Sequence, residues 1–322
     1  MDLPWGGLRS LREIARHGTI AAAAEAQGYT AGAVSQQLAV LERAAGRPLL
    51  ERVGRRVQLT DAGRVLVEHA GHILRAEEEA RAALEAAGEE VAGALTVATF
   101  ATFAASLLAP SIHTATARHP RLSVRTLEVH PDNAAAAVEH GDADVAFGLD
   151  YPSAPVPQAP TIDRVRIATE RFGVGAASDR ALGGREGVRL ADLAGEPWIL
   201  PPEHTNYGRA MFAACRRAGF EPDVAHVVDD TAVSLALAAQ GLGLTMTTPM
   251  MLTLLPAPGL VRHELADDVR RDLVAIGRRG GQQRPTVAAI TSIMRELAAP
   301  FDVSARSGSS GAPARGRRAS GS

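Results

Sequence analysis

No lysine occurs in the 322-residue chain, so each of its 34 fixed positive charges is an arginine. That excludes ammonium groups and leaves planar guanidinium forks, which match phosphate or carboxylate geometry through paired hydrogen bonds. There is one cysteine, Cys215, which excludes an internal disulfide and points to a reducing compartment. It reads as a small buried residue on a helix. The opening stretch, residues 1–18, lacks the continuous apolar core of a signal peptide. No later run reaches the roughly 18 apolar residues of a membrane span, so a cytoplasmic protein that does not enter a membrane is expected. Several catalytic signatures are missing: a Gly-x-Ser-x-Gly elbow, a phosphate loop and a His-Glu-x-x-His metal helix. The run at 241–246 lacks the third glycine of a dinucleotide fingerprint. His69 and His72 stand three apart, yet no cysteine or acid pair completes a metal site. No enzyme activity, cofactor or metal is expected.

What is present is enough for two domains, because a single core stops growing near about 250 residues. The composition, 46% hydrophobic and 22% charged, is that of a globular protein. The net charge of −2 hides an asymmetry: residues 1–60 carry eight arginines against five acids. A basic head on a more acidic body is the charge layout of a DNA-reading protein.

The head reads as three short helices. Leu8, Leu11, Ile14 and Ala15 share one helical face. Gly18 ends the first helix, Thr19 caps a second over 20–27, and Gly28 closes that one. Thr30 caps a third, which turns Val34, Leu38 and Leu41 inward and Ala31, Gly32, Ser35 and Gln36 outward. Two short helices joined by a glycine turn form a helix-turn-helix, and the alternating stretch 52–60, with Arg55 and Arg56 at its tip, forms a β-hairpin wing. A long helix follows over 61–90, with Val65, Leu66, His69, Ile73, Leu74 and Leu84 on one stripe. A stripe of this kind needs a partner: either a second copy, which makes it a dimerisation linker, or its own domain. From residue 93 short apolar strands alternate with helices, giving an α/β domain with a mainly parallel sheet and two lobes. The expected strands lie at 95–98, 122–127, 144–149, 164–176, 197–200, near 246 and at 273–276, before a last helix from Pro285. The expected domains are therefore a winged helix-turn-helix (1–60), a linker helix (61–92), an effector-binding body (93–303) and a Ser/Gly/Arg tail (304–322) unable to bury enough apolar surface to order itself.

The head resembles the LysR family of bacterial transcription regulators. The matching residues are Ala23, Ala24, Thr30, Ala33, Val34, Ser35, Gln37, Leu41, Glu42, Gly46, Leu49, Arg52, Leu59, Thr60 and Gly63. The body resembles the family's two-lobed effector domain, of the periplasmic-binding-protein type, at 141–148 and 240–244. Thr30, Ala31 and Gly32 stand where the family usually has Ser-Gln-Pro, and Leu11 and Leu50 where it has phenylalanines. The resemblance implies a ligand-responsive regulator acting on double-stranded DNA as a homodimer or homotetramer. Ser35 and Gln36 would reach base edges in the major groove, with Thr30, Ala31 and Gly32 lining the same face, while Thr30, Arg52, Arg55 and Arg56 hold phosphates or the flanking minor groove. Ligands of open α/β sheets lie beyond the carboxyl ends of strands, between lobes. That rule selects Thr99, Phe100, Ala101, Thr102, His130, Asp150, His204, Thr205 and Thr247 as effector contacts, and the hydroxyls and free amides around 99–102 suit a small organic anion. A solute-binding protein would share the body without the head, and a structural DNA binder would leave the body without a task.

Overall fold

A computed structural model describes residues 3–53, 56–85, 91–156, 159–180, 182, 187–254 and 257–304. The head consists of α1 (Trp5–His17), α2 (Ile20–Gln27), α3 (Ala31–Ala45), and a hairpin of β1 (Leu50–Val53) and β2 (Arg56–Leu59). The helices start and stop where their caps dictate. The Thr19 and Thr30 hydroxyls accept from the amides of Ala22 and Ala33, each at 3.2 Å, and Gly18, Gly28 and Gly46 take left-handed φ of 72°, 68° and 69° just past the helix ends. Leu8, Leu11, Ile14, Val34, Leu38 and Leu41 meet in one core.

The linker α4 (Asp61–Glu85) is five residues shorter than expected within the described chain, since 86–90 lie outside it. Its stripe is divided. Leu66, Ala70, Ile73 and Leu74 pack into the head's own core, whereas Val65 and His69 are exposed. Part of the stripe thus has a partner in its own chain. Gly71 approaches the body so closely that a Cβ there would sit 2.2 Å from the His140 carbonyl oxygen.

The body follows in chain order. Strand β3 (Gly93–Thr99) leads into α5 (Ala101–Phe103), which continues through a π-turn into α6 (Ala109–Arg118); β4 (Leu122–Glu128), α7 (Ala134–Glu139), β5 (Val145–Asp150) and β6 (Ile162–Arg171) complete most of the first lobe. The chain then crosses to β7 (Gly173–Ala177), β8 (Pro197–Leu200), α8 (Asn206–Arg217), β9 (Asp223–Val227), α9 (Thr231–Ala239), β10 (Leu244–Thr247), α10 (Pro249–Leu254) and β11 (Leu260–Glu264). It returns along β12 (Arg270–Arg278) and ends in α11 (Pro285–Ala298). The sheet orders are β4-β3-β5-β12-β6 and β11-β7-β10-β8-β9. Two expectations change here. The single strand at 164–176 is two strands in different sheets, broken at the fully buried Phe172. The sheets are mixed, because β12 returns antiparallel to both β5 and β6, and β7 runs antiparallel to β10 and β11. Each lobe has its own apolar core. Beyond Ser304 the expected tail lies outside the described residues.

Candidate DNA interface and effector cleft

On α3, Ala31, Gly32, Ser35 and Gln36 are exposed while Val34, Leu38 and Leu41 are buried. The helix is held from behind by Ser10, whose hydroxyl donates to Gln37 Oε1 at 2.6 Å. Glu42 fixes the entry to the wing, its carboxylate accepting from the amides of Leu49 (2.7 Å) and Leu50 (3.2 Å). Thr60 closes the wing, donating to the Pro48 carbonyl and accepting from the Gly63 amide. Arg52 lies on β1 and Arg56 on β2, and Arg55 lies outside the described residues.

Between the lobes opens a cavity of about 710 Å³. Phe100, Ala101, Thr102 and His130 line it from the first lobe, and Thr205 from the second. Four other expected contacts do not line it. Thr99 is fully buried, its hydroxyl 3.4 Å from the Phe147 carbonyl. Asp150 is paired with Arg164, and burial, only partly offset by that arginine, raises its pKa. His204 is exposed, and its carbonyl accepts from Arg209. Thr247 is fully buried, beside Gly175 of the neighbouring strand. Strand-end position alone did not distinguish these four: the Thr99, Asp150 and Thr247 side chains turn to a local partner or into the fold, and His204 is exposed outside the cavity wall.

Other wall residues come from distant parts of the chain: Glu128, Asp132, Tyr151, Tyr207, Asp229, Asp230 and Arg271 among them. Tyr151 and Tyr207 stack at 5.9 Å; burial pushes both phenols above their ordinary pKa, so both stay neutral. Arg271 is 1% exposed and Glu170 0%. The guanidinium reaches one Glu170 oxygen from Nε at 2.9 Å and from Nη2 at 2.7 Å, and Nη2 also donates to the Thr248 hydroxyl at 2.8 Å. Burial is the largest influence and opposes the Arg271 charge, but Glu170, Tyr151 and Tyr207 together outweigh it and raise the pKa. Further contacts bridge the lobes, among them the Thr102 and Thr231 hydroxyls at 3.4 Å, His130 Nε2 and Asp229 Oδ2 at 2.7 Å, and the Asn206 amide donating to Asp132 at 3.0 Å.

The strand β12 that carries Arg271 ends at Arg278. There the guanidinium meets the His72 ring of α4 and donates to the Val138 carbonyl at the end of α7. His69 and His72 rings lie 6.3 Å apart, and among the described residues no group of three or more His, Cys, Asp or Glu is placed to hold a metal. Among those residues no helix is long and apolar enough to cross a membrane.

Residues 5–64 match the family described as "Bacterial regulatory helix-turn-helix protein, lysR family", and residues 88–299 match "LysR substrate binding domain". The HTH-type transcriptional regulator ClcR of Pseudomonas putida is 31% identical over 74% of this chain and 80% of its own length. TfdS of Cupriavidus pinatubonensis is 27% identical over 89% of this chain and 96% of its own. Among solved structures, full-length CbnR complexed with its target DNA superposes with a TM-score of 0.62 at 24% identity, covering 92% of this chain and 100% of that one. A full-length OxyR variant from Pseudomonas aeruginosa gives 0.74 at 18%, covering 94% and 99%. With both halves of the architecture matched in order, the chain belongs to the LysR family of transcriptional regulators.

Proposed function

We propose that the head reads a promoter operator through the first two turns of α3, and that a small molecule held between the lobes changes how the heads engage DNA. The observation carrying this is the continuous exposed face of Ala31, Gly32, Ser35 and Gln36, backed by buried Val34 and Leu38. Such a face fits a major groove about 12 Å wide. Ser35 and Gln36 supply hydrogen bonds to base edges, Ala31 and Gly32 allow close approach, and Thr30, Arg52, Arg55 and Arg56 hold the backbone. With Ala31 and Gly32 in place of longer polar residues, base reading falls chiefly to Ser35 and Gln36.

In the cleft, Phe100, Ala101, Thr102, His130 and Thr205 contact the effector together with Tyr151 and Tyr207. Closure of the lobes is transmitted along β12 and α7 to Arg278 and so to α4. This is a physical path, since β12 runs from the cavity wall to the linker helix. The domains act as head 1–60, linker 61–92 and body 93–303, in a homodimer or homotetramer joined partly by the exposed Val65 and His69 face of α4. The protein works in the cytoplasm and its task involves no catalytic step. Thiol peroxide chemistry does not fit Cys215, which is fully buried, with burial pushing its pKa up to about 12.

The test is a selection of preferred sites for the full chain and two paired variants. Ser35→Ala with Gln36→Ala costs about 1–3 kcal/mol of base discrimination at the positions read. Arg55→Ala with Arg56→Ala weakens all sequences alike and lowers the salt slope by about 1 for each phosphate no longer neutralised. Unchanged base preference in the first pair overturns the assignment of α3.

A further inference from the structure

Given that the cleft is the effector site, we propose that its ligand is an organic cation: an ammonium or amidinium group carried on an apolar or aromatic body. The site itself rests on the cavity of about 710 Å³ between the lobes, and the ligand class rests on the charge of its walls. Four carboxylates line the cavity, those of Glu128, Asp132, Asp229 and Asp230. The basic side chains facing them are already engaged. Arg271 gives its charge to Glu170 through two hydrogen bonds at 2.9 and 2.7 Å, with both side chains buried, and His130 is held by Asp229 at 2.7 Å.

Two of the amides that could attract an anion in the second lobe are taken as well. Asp132 accepts from the first amide of α8 at 3.0 Å, and Asp230 caps α9 by accepting from the Val233 amide at 2.9 Å. An incoming carboxylate would have to displace the protein's own carboxylates and meet the remaining negative charge. An incoming cation meets four acceptors and displaces none of these bonds. Deeper in the cavity Phe100, Leu149, Tyr151, Tyr207 and Met251 offer apolar and aromatic surface, and aromatic faces attract cations in their own right. This wall favours a cation in place of the organic anion expected from residues 99–102.

The test is isothermal titration of the full-length chain with three indoles of similar shape: cationic tryptamine, neutral tryptophol and anionic indole-3-propionate. Phenethylamine and agmatine serve as further cationic probes. Tryptamine is expected to bind about tenfold more tightly than indole-3-propionate, with tryptophol between them. Glu128→Gln removes an exposed charge, and Asp230→Asn keeps the α9 cap. Each should weaken tryptamine about fivefold while leaving tryptophol unchanged. Indole-3-propionate binding as tightly as tryptamine, a tryptamine-to-tryptophol ratio unmoved by both variants, or no heat from any cationic probe at millimolar concentration overturns the proposal. Ala101→Trp separates the two layers of inference. Tryptamine binding that survives this filled cleft shows that the cleft is not the site. Indole-3-propionate that binds the unmodified chain as tightly as tryptamine and is lost in Ala101→Trp keeps the cleft and overturns the cation.

Discussion

Replacing Arg271 by methionine removes one half of a fully buried ion pair while keeping apolar bulk above the Phe172 ring, which the guanidinium covers at 5.6 Å. Glu170, 0% exposed, is then left with the Thr248 hydroxyl at 3.2 Å and the Met250 amide at 3.0 Å as its hydrogen-bond donors. Removing one partner of a buried pair costs about 3–5 kcal/mol, because the remaining charge stays desolvated without compensation. The body has the size for which 1 kcal/mol moves the melting temperature by about 2–4 °C, so its thermal transition should fall by about 6–20 °C. Circular dichroism of the full-length chain, heated with and without the substitution, reads this directly. Adding Glu170→Leu to Arg271→Met should restore part of the loss, since two apolar groups leave no buried charge. The reasoning is refuted if Arg271→Met shifts the transition by no more than an ordinary surface substitution, or if the double variant is less stable than Arg271→Met alone.

Other substitutions test the head and the thiol. Glu42→Ala leaves the Leu49 and Leu50 amides without their acceptor and should cost about 1–3 kcal/mol in urea denaturation of the head, with binding lost as the wing loosens. Gly63→Ala places a Cβ 2.1 Å from the Leu49 carbonyl oxygen, a backbone atom that cannot move aside; purified variant should melt earlier and footprint poorly, and wild-type behaviour would show that the wing tolerates displacement. Because burial pushes the Cys215 thiol up to about 12, it stays protonated at neutral pH, and labelling by a disulfide reagent should become fast only in denaturant. Rapid labelling of the native chain would contradict its placement in the second-lobe core.

Much of the head was legible because its signals are local. Thr19, Thr30 and Thr60 cap helices within three residues of themselves, and three glycines end helices by their own backbone freedom. The outward face of α3 followed from period alone. In the body, strand positions were legible but sheet membership was not. No local feature around Phe172 signals that the chain leaves one sheet for another, and the direction of β12 depends on the return from the second lobe. The cleft was half legible for the same reason. Phe100, Ala101, Thr102, His130 and Thr205 sit at strand ends, where the general rule finds them. Tyr207, Asp229 and Arg271 become neighbours of these residues only through the closure of two lobes, and the Glu170–Arg271 pair spans 101 positions. The linker stripe was visible as a stripe, but its division between the head's core and the exposed Val65 and His69 depends on packing that period cannot encode.

Quantitative footprinting of the full-length chain on the DNA immediately upstream of its own gene, across a salt series and against an unrelated fragment, tests the central claim most directly. A discrete protected site is predicted, with affinity well above that for the unrelated fragment and falling with salt at a log–log slope of about −0.9 for each phosphate neutralised. Equal binding to both fragments at every salt concentration, by a folded protein, would contradict a head that reads sequence through α3.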